Sequence, residues 1–283
     1  MNVSQMGAVG RMTSVVGLSL GMALVGCDGD GGSATGGAGG TGGEGGTTGS
    51  GTGGGGTGGA GGTDQPDVVE IAIRRLNEGQ DVAAFEAARD AFVAELKKQP
   101  GVGVDREFLA VFDYGVGGPP TPPVYIGMTQ YSDLGAFQSA GEALGTSPEA
   151  GAFFSTFTPE LFTVLLPLDP QDEAELGSLA TGEGQVLEVA VRDFKMYSGF
   201  DKDDYATKRD AFLSLLAKQE GFVTERQWVS PADADIAVGM TVYASQEAFA
   251  AISQDAAFVG SAEAQAFLGT YPPVRGYINI SLK

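Results

Sequence analysis

The residue types able to do chemistry gather in the second half of this 283-residue chain. Arg192 ends one short apolar-patterned stretch, Arg226 and Trp228 share a parity on a second, Tyr243 closes a third, and Asn279 lies on the last. Arginine offers a rigid fork of donors for a carboxylate or phenolate, tryptophan a flat face with one N–H, and asparagine both a donor and an acceptor. Lining one cavity, Arg192, Arg226, Trp228, Tyr243 and Asn279 would hold a small aromatic or acidic molecule. Arg106, Phe108, Tyr131 and Leu165 occupy the aligned first-half positions, which lack two of those hydrogen-bonding groups, so a polar pocket is expected in the second half alone. Plainer roles compete with this reading. Glu188 with Arg192, and Glu70 with Arg74, suit cross-strand ion pairs, and a lone Trp often fills a core.

Composition narrows the chemistry. Histidine is absent and Cys27 is the single cysteine, which removes His-based triads, His-ligated haem and most zinc sites. No cofactor or metal is expected. Sixteen basic residues face 36 acidic ones, a net charge of −20, which argues against a nucleic-acid partner.

The elements that must position these residues come in two matching sets. Arg89-Asp90-Ala91-Phe92, Gln99, Gly101, Arg106 and Phe108 recur as Arg209-Asp210-Ala211-Phe212, Gln219, Gly221, Arg226 and Trp228, at a constant offset of 120. Such self-similarity marks a duplicated unit. In each copy an alternating strand (Val69 to Arg74; Leu187 to Arg192) precedes a helix starting near Asp81 or Asp201. The helices stop at Pro100-Gly101 and Glu220-Gly221. A second strand, a turn, a third strand, a second helix and a last strand follow. Each copy thus reads as a ferredoxin-like βαββαβ unit, 64–169 and 186–283, joined by a solvated acidic connector, 170–185.

A ferredoxin-like sheet leaves one face open, so two copies would set open face to face, forming an intramolecular α/β barrel from tandem repeats, an α+β fold. Alternation then turns Ile71, Ile73, Val189, Val191, Ile236, Val238 and Met240 toward the helices. Glu70, Arg74, Glu188, Arg192, Tyr131 and Tyr243 are left inside, with Arg226, Trp228, Tyr277 and Asn279. The run Gly221 to Trp228 and the run Tyr243-Ala-Ser-Gln-Glu-Ala-Phe249 resemble the dimeric α/β barrel superfamily, nearest its antibiotic-biosynthesis-monooxygenase-like domains. Such domains usually pair to close a barrel; here the tandem would be a monomeric pseudo-dimer. The resemblance implies a ligand pocket, or cofactor-independent oxygenation of a phenolic substrate by residues of the types of Asn279, Trp228, Tyr243 and Arg226. A non-catalytic interaction module is the remaining reading.

Residues 1–26 carry one base, Arg11, no acid, and an apolar run too short to span a bilayer, as in a secretory signal peptide. The run ends Leu24-Val25-Gly26-Cys27, which resembles the lipobox of bacterial lipoproteins and implies cleavage before Cys27 and lipidation of its thiol. Behind it, 28–63 holds 21 glycines in 36 residues, a tether with a reach of roughly 30 to 36 Å. The expected location is the cell envelope, facing the periplasm or the outside, with the bilayer as partner. Cys27→Ala should therefore move the protein from the membrane to the soluble fraction; equal membrane retention of both forms would refute lipidation.

Overall fold

A computed structural model describes residues 67–169 and 175–282; the expected signal peptide, Cys27 and the expected tether lie outside them. Eight strands alternate with helices: β1 (Val68–Leu76), α1 (Val82–Leu96), β2 (Val102–Asp113), β3 (Val124–Tyr131), α2 (Leu134–Leu144), α3 (Pro148–Phe154) and β4 (Phe157–Pro167) form the first half. The second half holds β5 (Val186–Asp193), α4 (Lys202–Leu216), β6 (Phe222–Val229), β7 (Ile236–Tyr243), α5 (Gln246–Gln254), α6 (Ala256–Val259), α7 (Ala262–Thr270) and β8 (Arg275–Ser281). The helix starts are set by capping side chains: Asp81 accepts from Ala84 N at 2.8 Å and Asp201 from Asp204 N at 2.8 Å. After α1 and α4, Gly101 and Gly221 take positive φ, 78° and 89°, where a side chain would also strike Ala136 or Ala248.

The expected tandem of ferredoxin-like repeats is corrected by the strand order. All eight strands form one closed antiparallel barrel, β1-β3-β2-β8-β5-β7-β6-β4, accompanied by seven helices among the described residues. The sheets do not stack as two separate layers. Instead β2 pairs with β8 from Phe108↔Ser281 to Asp113↔Tyr277, and β4 pairs with β6 at Leu166↔Val229 and Pro167↔Trp228. Joining edges satisfies the backbone groups that an open sheet would leave unpaired, which is why edge pairing replaces face packing.

The expected facing is reversed on β1, β3, β5 and β7, whereas Trp228 on β6 and Tyr277 and Asn279 on β8 lie inside as expected. Val69, Ile71, Ile73, Val124, Ile126, Met128, Leu187, Val189, Val191, Val238, Met240 and Val242 fill the barrel interior with Phe108, Leu165, Trp228 and Tyr277. Val68, Tyr131, Val186 and Tyr243 instead lie under the helices, beside Leu96, Ala140 and Leu144 or Leu216, Ile252 and Phe258. Alternation marks two faces but does not say which is inside. The closed barrel takes the face carrying the larger apolar area inside.

The connector is not solvated throughout. Leu176, Leu179 and Ala180 are buried with the barrel interior and plug the end where β1 and β5 begin. Leu176 N donates to Gln130 Oε1 at 3.2 Å, and Arg106 Nη2 donates to Ala180 O at 3.3 Å and Ser281 Oγ at 3.0 Å. At the other mouth Arg75 pairs with Asp113 at 3.1 Å and with Glu160. Leu176→Ala or Leu179→Ala should each lower the unfolding free energy by about 2 to 5 kcal/mol in urea titrations; a linker role predicts under about 0.5 kcal/mol.

Candidate functional site

Glu188, Arg192 and Tyr243, expected in the lumen, lie instead between the second-half strands and their helices. On β5 the outward positions are Glu188, Ala190 and Arg192, and the register Ala190↔Gly239↔Gln227 sets a glycine beside the arginine. A Cβ at position 239 would lie 3.6 Å from Arg192 Nη1 and 2.8 Å from Gln227 Nε2, so the bare backbone forms the floor for both side chains. Helix α7 supplies the roof: the Arg192 guanidinium carbon lies 4.6 Å from the centroid of Phe267, and Nε donates to Tyr271 O at 3.0 Å. Arg192 is 4% exposed. Among the described residues no carboxylate lies within ion-pair distance of it, and its two terminal nitrogens have no acceptor.

A second cluster adjoins it. Tyr205 on α4 donates to Gln227 Oε1 at 3.3 Å, and Gln227 Nε2 donates to Glu225. Burial holds the Glu225 carboxyl up at about 7, against the pull of Gln227, Arg209 and Arg192, with Glu188 adding to the rise. Glu225 and Gln227 face a depression of about 360 Å³ between α4 and β6, walled by Arg209 and Leu213. Behind them Glu188 accepts from Tyr243 at 2.7 Å and from Tyr114 at 2.6 Å. Tyr114 belongs to the first half; burial and the nearby Glu188 charge raise both phenols well above their usual range. The arrangement joins a buried cation, a carboxyl able to take or give a proton near neutral pH, and aromatic walls.

The five residues singled out by type do not converge. Arg192 and Tyr243 lie on the helix side, whereas Trp228 and Asn279 are sealed in the barrel interior, 2% and 0% exposed. Asn279 Nδ2 donates to Leu187 O at 2.9 Å and Tyr277 O at 3.1 Å; its Oδ1 and Trp228 Nε1 have no partner. Arg226 is partly buried and borders the depression. Glu225, Gln227, Tyr205 and Tyr271 escaped the reading by type. A signal for two of them was present, because Arg226 and Trp228 pointing inward forces Glu225 and Gln227 outward.

No family model matches the chain, and no curated protein does. Among solved structures, a provisionally assigned chlorite dismutase aligns with 77% of this chain and 96% of its own, at 10% identity and a TM-score of 0.50. Chlorite dismutase from Candidatus Nitrospira defluvii aligns with 78% of this chain and 93% of its own, at 9% identity and a TM-score of 0.48. The likeness is one of fold. SnoaB, a cofactor-independent oxygenase from Streptomyces nogalater, matches 38% of this chain with 99% of its own, at 20% identity and a TM-score of 0.30.

A raised carboxyl pKa means that the native state holds the Glu225 proton more tightly than the unfolded chain. The resulting stabilisation is complete below the ordinary value of 4.5 and is lost as pH rises through about 7. The shift corresponds to about 3 kcal/mol. Urea titrations of wild type and Glu225→Gln at pH 4.5 and pH 8 should show a loss of this order in wild type that is absent from the variant. Parallel pH profiles would place Glu225 in solvent.

Proposed function

We propose that the protein binds a small aromatic or acidic molecule in the second-half space between sheet and helices, with Arg192 as the anion-binding group. The observation that carries this reading is the nearly complete burial of Arg192 with no carboxylate in ion-pair contact among the described residues, Glu225 acting on it only from further away. Removing a cation from water is costly unless an anion and hydrogen-bond acceptors replace the water. Tyr271 O accounts for one donor, and a ligand anion would occupy the terminal ones. Phe267, Tyr205 and Tyr271 pack together beside it, and the depression lined by Glu225 and Gln227 adjoins them through the Tyr205–Gln227 hydrogen bond. Lipidation of Cys27 would place this site at the cell envelope, on a tether of glycines.

Glu225 favours a second reading, cofactor-independent oxygenation of a phenol. A carboxyl titrating at about 7 can accept the phenolic proton, and Arg192 would hold the resulting phenolate. Dioxygen then serves as both oxidant and oxygen source. A phenol with a free para position becomes the quinone, one oxygen atom entering the ring and the other leaving as water. The chain supplies position and proton transfer only.

Arg192→Met tests both readings. Losing a charged hydrogen bond of about 1.5 to 3 kcal/mol should weaken binding of small phenols and aromatic acids by about 10- to 150-fold in calorimetric titrations, with little change in fold by circular dichroism. Glu225→Gln should spare binding and abolish oxygen consumption if the protein is an oxygenase. Equal affinity of wild type and Arg192→Met would remove Arg192 from the site.

A further inference from the structure

The first half contains the counterpart of the Arg192 position, already occupied. There the register is Ala72↔Gly127↔Glu107, equivalent to Ala190↔Gly239↔Gln227. Arg74 extends over Gly127 as Arg192 does beside Gly239, and a Cβ at Gly127 would run into its Nη2. Phe153 takes the place of the aromatic roof, 5.2 Å from the guanidinium carbon. Arg74 Nη2 donates to both Glu107 oxygens, at 2.8 and 2.7 Å, and the two side chains are 4% and 3% exposed. This is a carboxylate held on a buried arginine, away from water.

The second half has one atom-for-atom change at that place: Gln227 stands where the first half has Glu107. The amide has the same shape without the charge, and it turns to Tyr205 and Glu225 instead of to the arginine. We propose that Glu107 is a built-in surrogate of the ligand, so that the second-half site takes the carboxylate of a small monocarboxylic acid and the first half is the same site closed by its own side chain. This rests on the reading of Arg192 as the binding group. One guanidinium matches one negative charge. A phosphate dianion would carry a surplus charge into a space that already contains Glu188 and Glu225, which disfavours it. The aromatic cluster beside Arg192, in which Phe267 faces the guanidinium and packs on Tyr205 and Tyr271, matches an acid with an aromatic or otherwise apolar body.

Calorimetric titration of the full chain with benzoate tests the assignment, with phenol and benzamide as neutral probes of the same size. Wild type should bind one benzoate and prefer it to benzamide by about 10-fold or more. Gln227→Glu, which restores the first-half pairing, should weaken benzoate at least about 10-fold and raise the melting temperature. Glu107→Gln should lower the melting temperature and increase the stoichiometry from one to two. If Glu107→Gln does not fold, Gln227→Glu decides alone: benzoate affinity within two-fold of wild type overturns the proposal. Binding of phenol without binding of benzoate overturns the carboxylate assignment and leaves Arg192 as the binding group. Binding of neither probe overturns both.

Discussion

Pairing of β2 with β8, completed by the shorter seam between β4 and β6, is the constraint on which the rest of the molecule depends. Four strands from one half present two edges, and without partners those edges would leave backbone donors and acceptors in water or open to other chains. Closure removes the edges and makes an interior that water does not enter. Once the interior is dry, the apolar parity of each strand belongs inside, and the polar parity must find its partners beneath the helices. The positions of Glu70, Arg74, Glu188 and Arg192 follow from that one requirement. The seam also brings Tyr114 of the first half to Glu188 of the second, where Gly276 leaves the room its ring needs.

Between sheet and helices the two halves solve one electrostatic problem differently. A guanidinium laid over a glycine loses most of its water and needs compensation. In the first half Glu107 provides it, although burial pushes that carboxyl above its ordinary value even with Arg74 beside it. In the second half the hydrogen bonds of Gln227 go elsewhere, and the contacts within the described residues are one carbonyl and an aromatic face, with the Glu225 carboxyl further off. Stability is thereby given up at this place, as it is at the partnerless Trp228 Nε1 and Asn279 Oδ1 inside the barrel. Local incompleteness of this kind, in a structure otherwise consistent from propensity to packing, is where function is expected.

Much of the fold was legible because it rests on local rules. Asp81 and Asp201 announced their helices, Gly101 and Gly221 the turns after them, and the alternation from Val69 and from Leu187 marked β1 and β5. Long-range facts were not legible. Nothing local states that Phe108 will lie opposite Ser281, or that Leu176 and Leu179, in a stretch dominated by acids, will enter the barrel. The site was half legible for the same reason. Arg192 and Tyr243 could be named by type, but the face they share with Glu225 was assigned wrongly, because an alternating strand fits either orientation until its neighbours are known.

Closure by the last strand also bears on synthesis. A ribosome delivers β1 to β4 first, and β2 then has no neighbour on one side until Arg275 to Ser281 emerge at the end of the chain. For the interval needed to make more than half of the described residues, the nascent protein is an unfinished sheet with its future interior exposed, the kind of species prone to pairing with another chain.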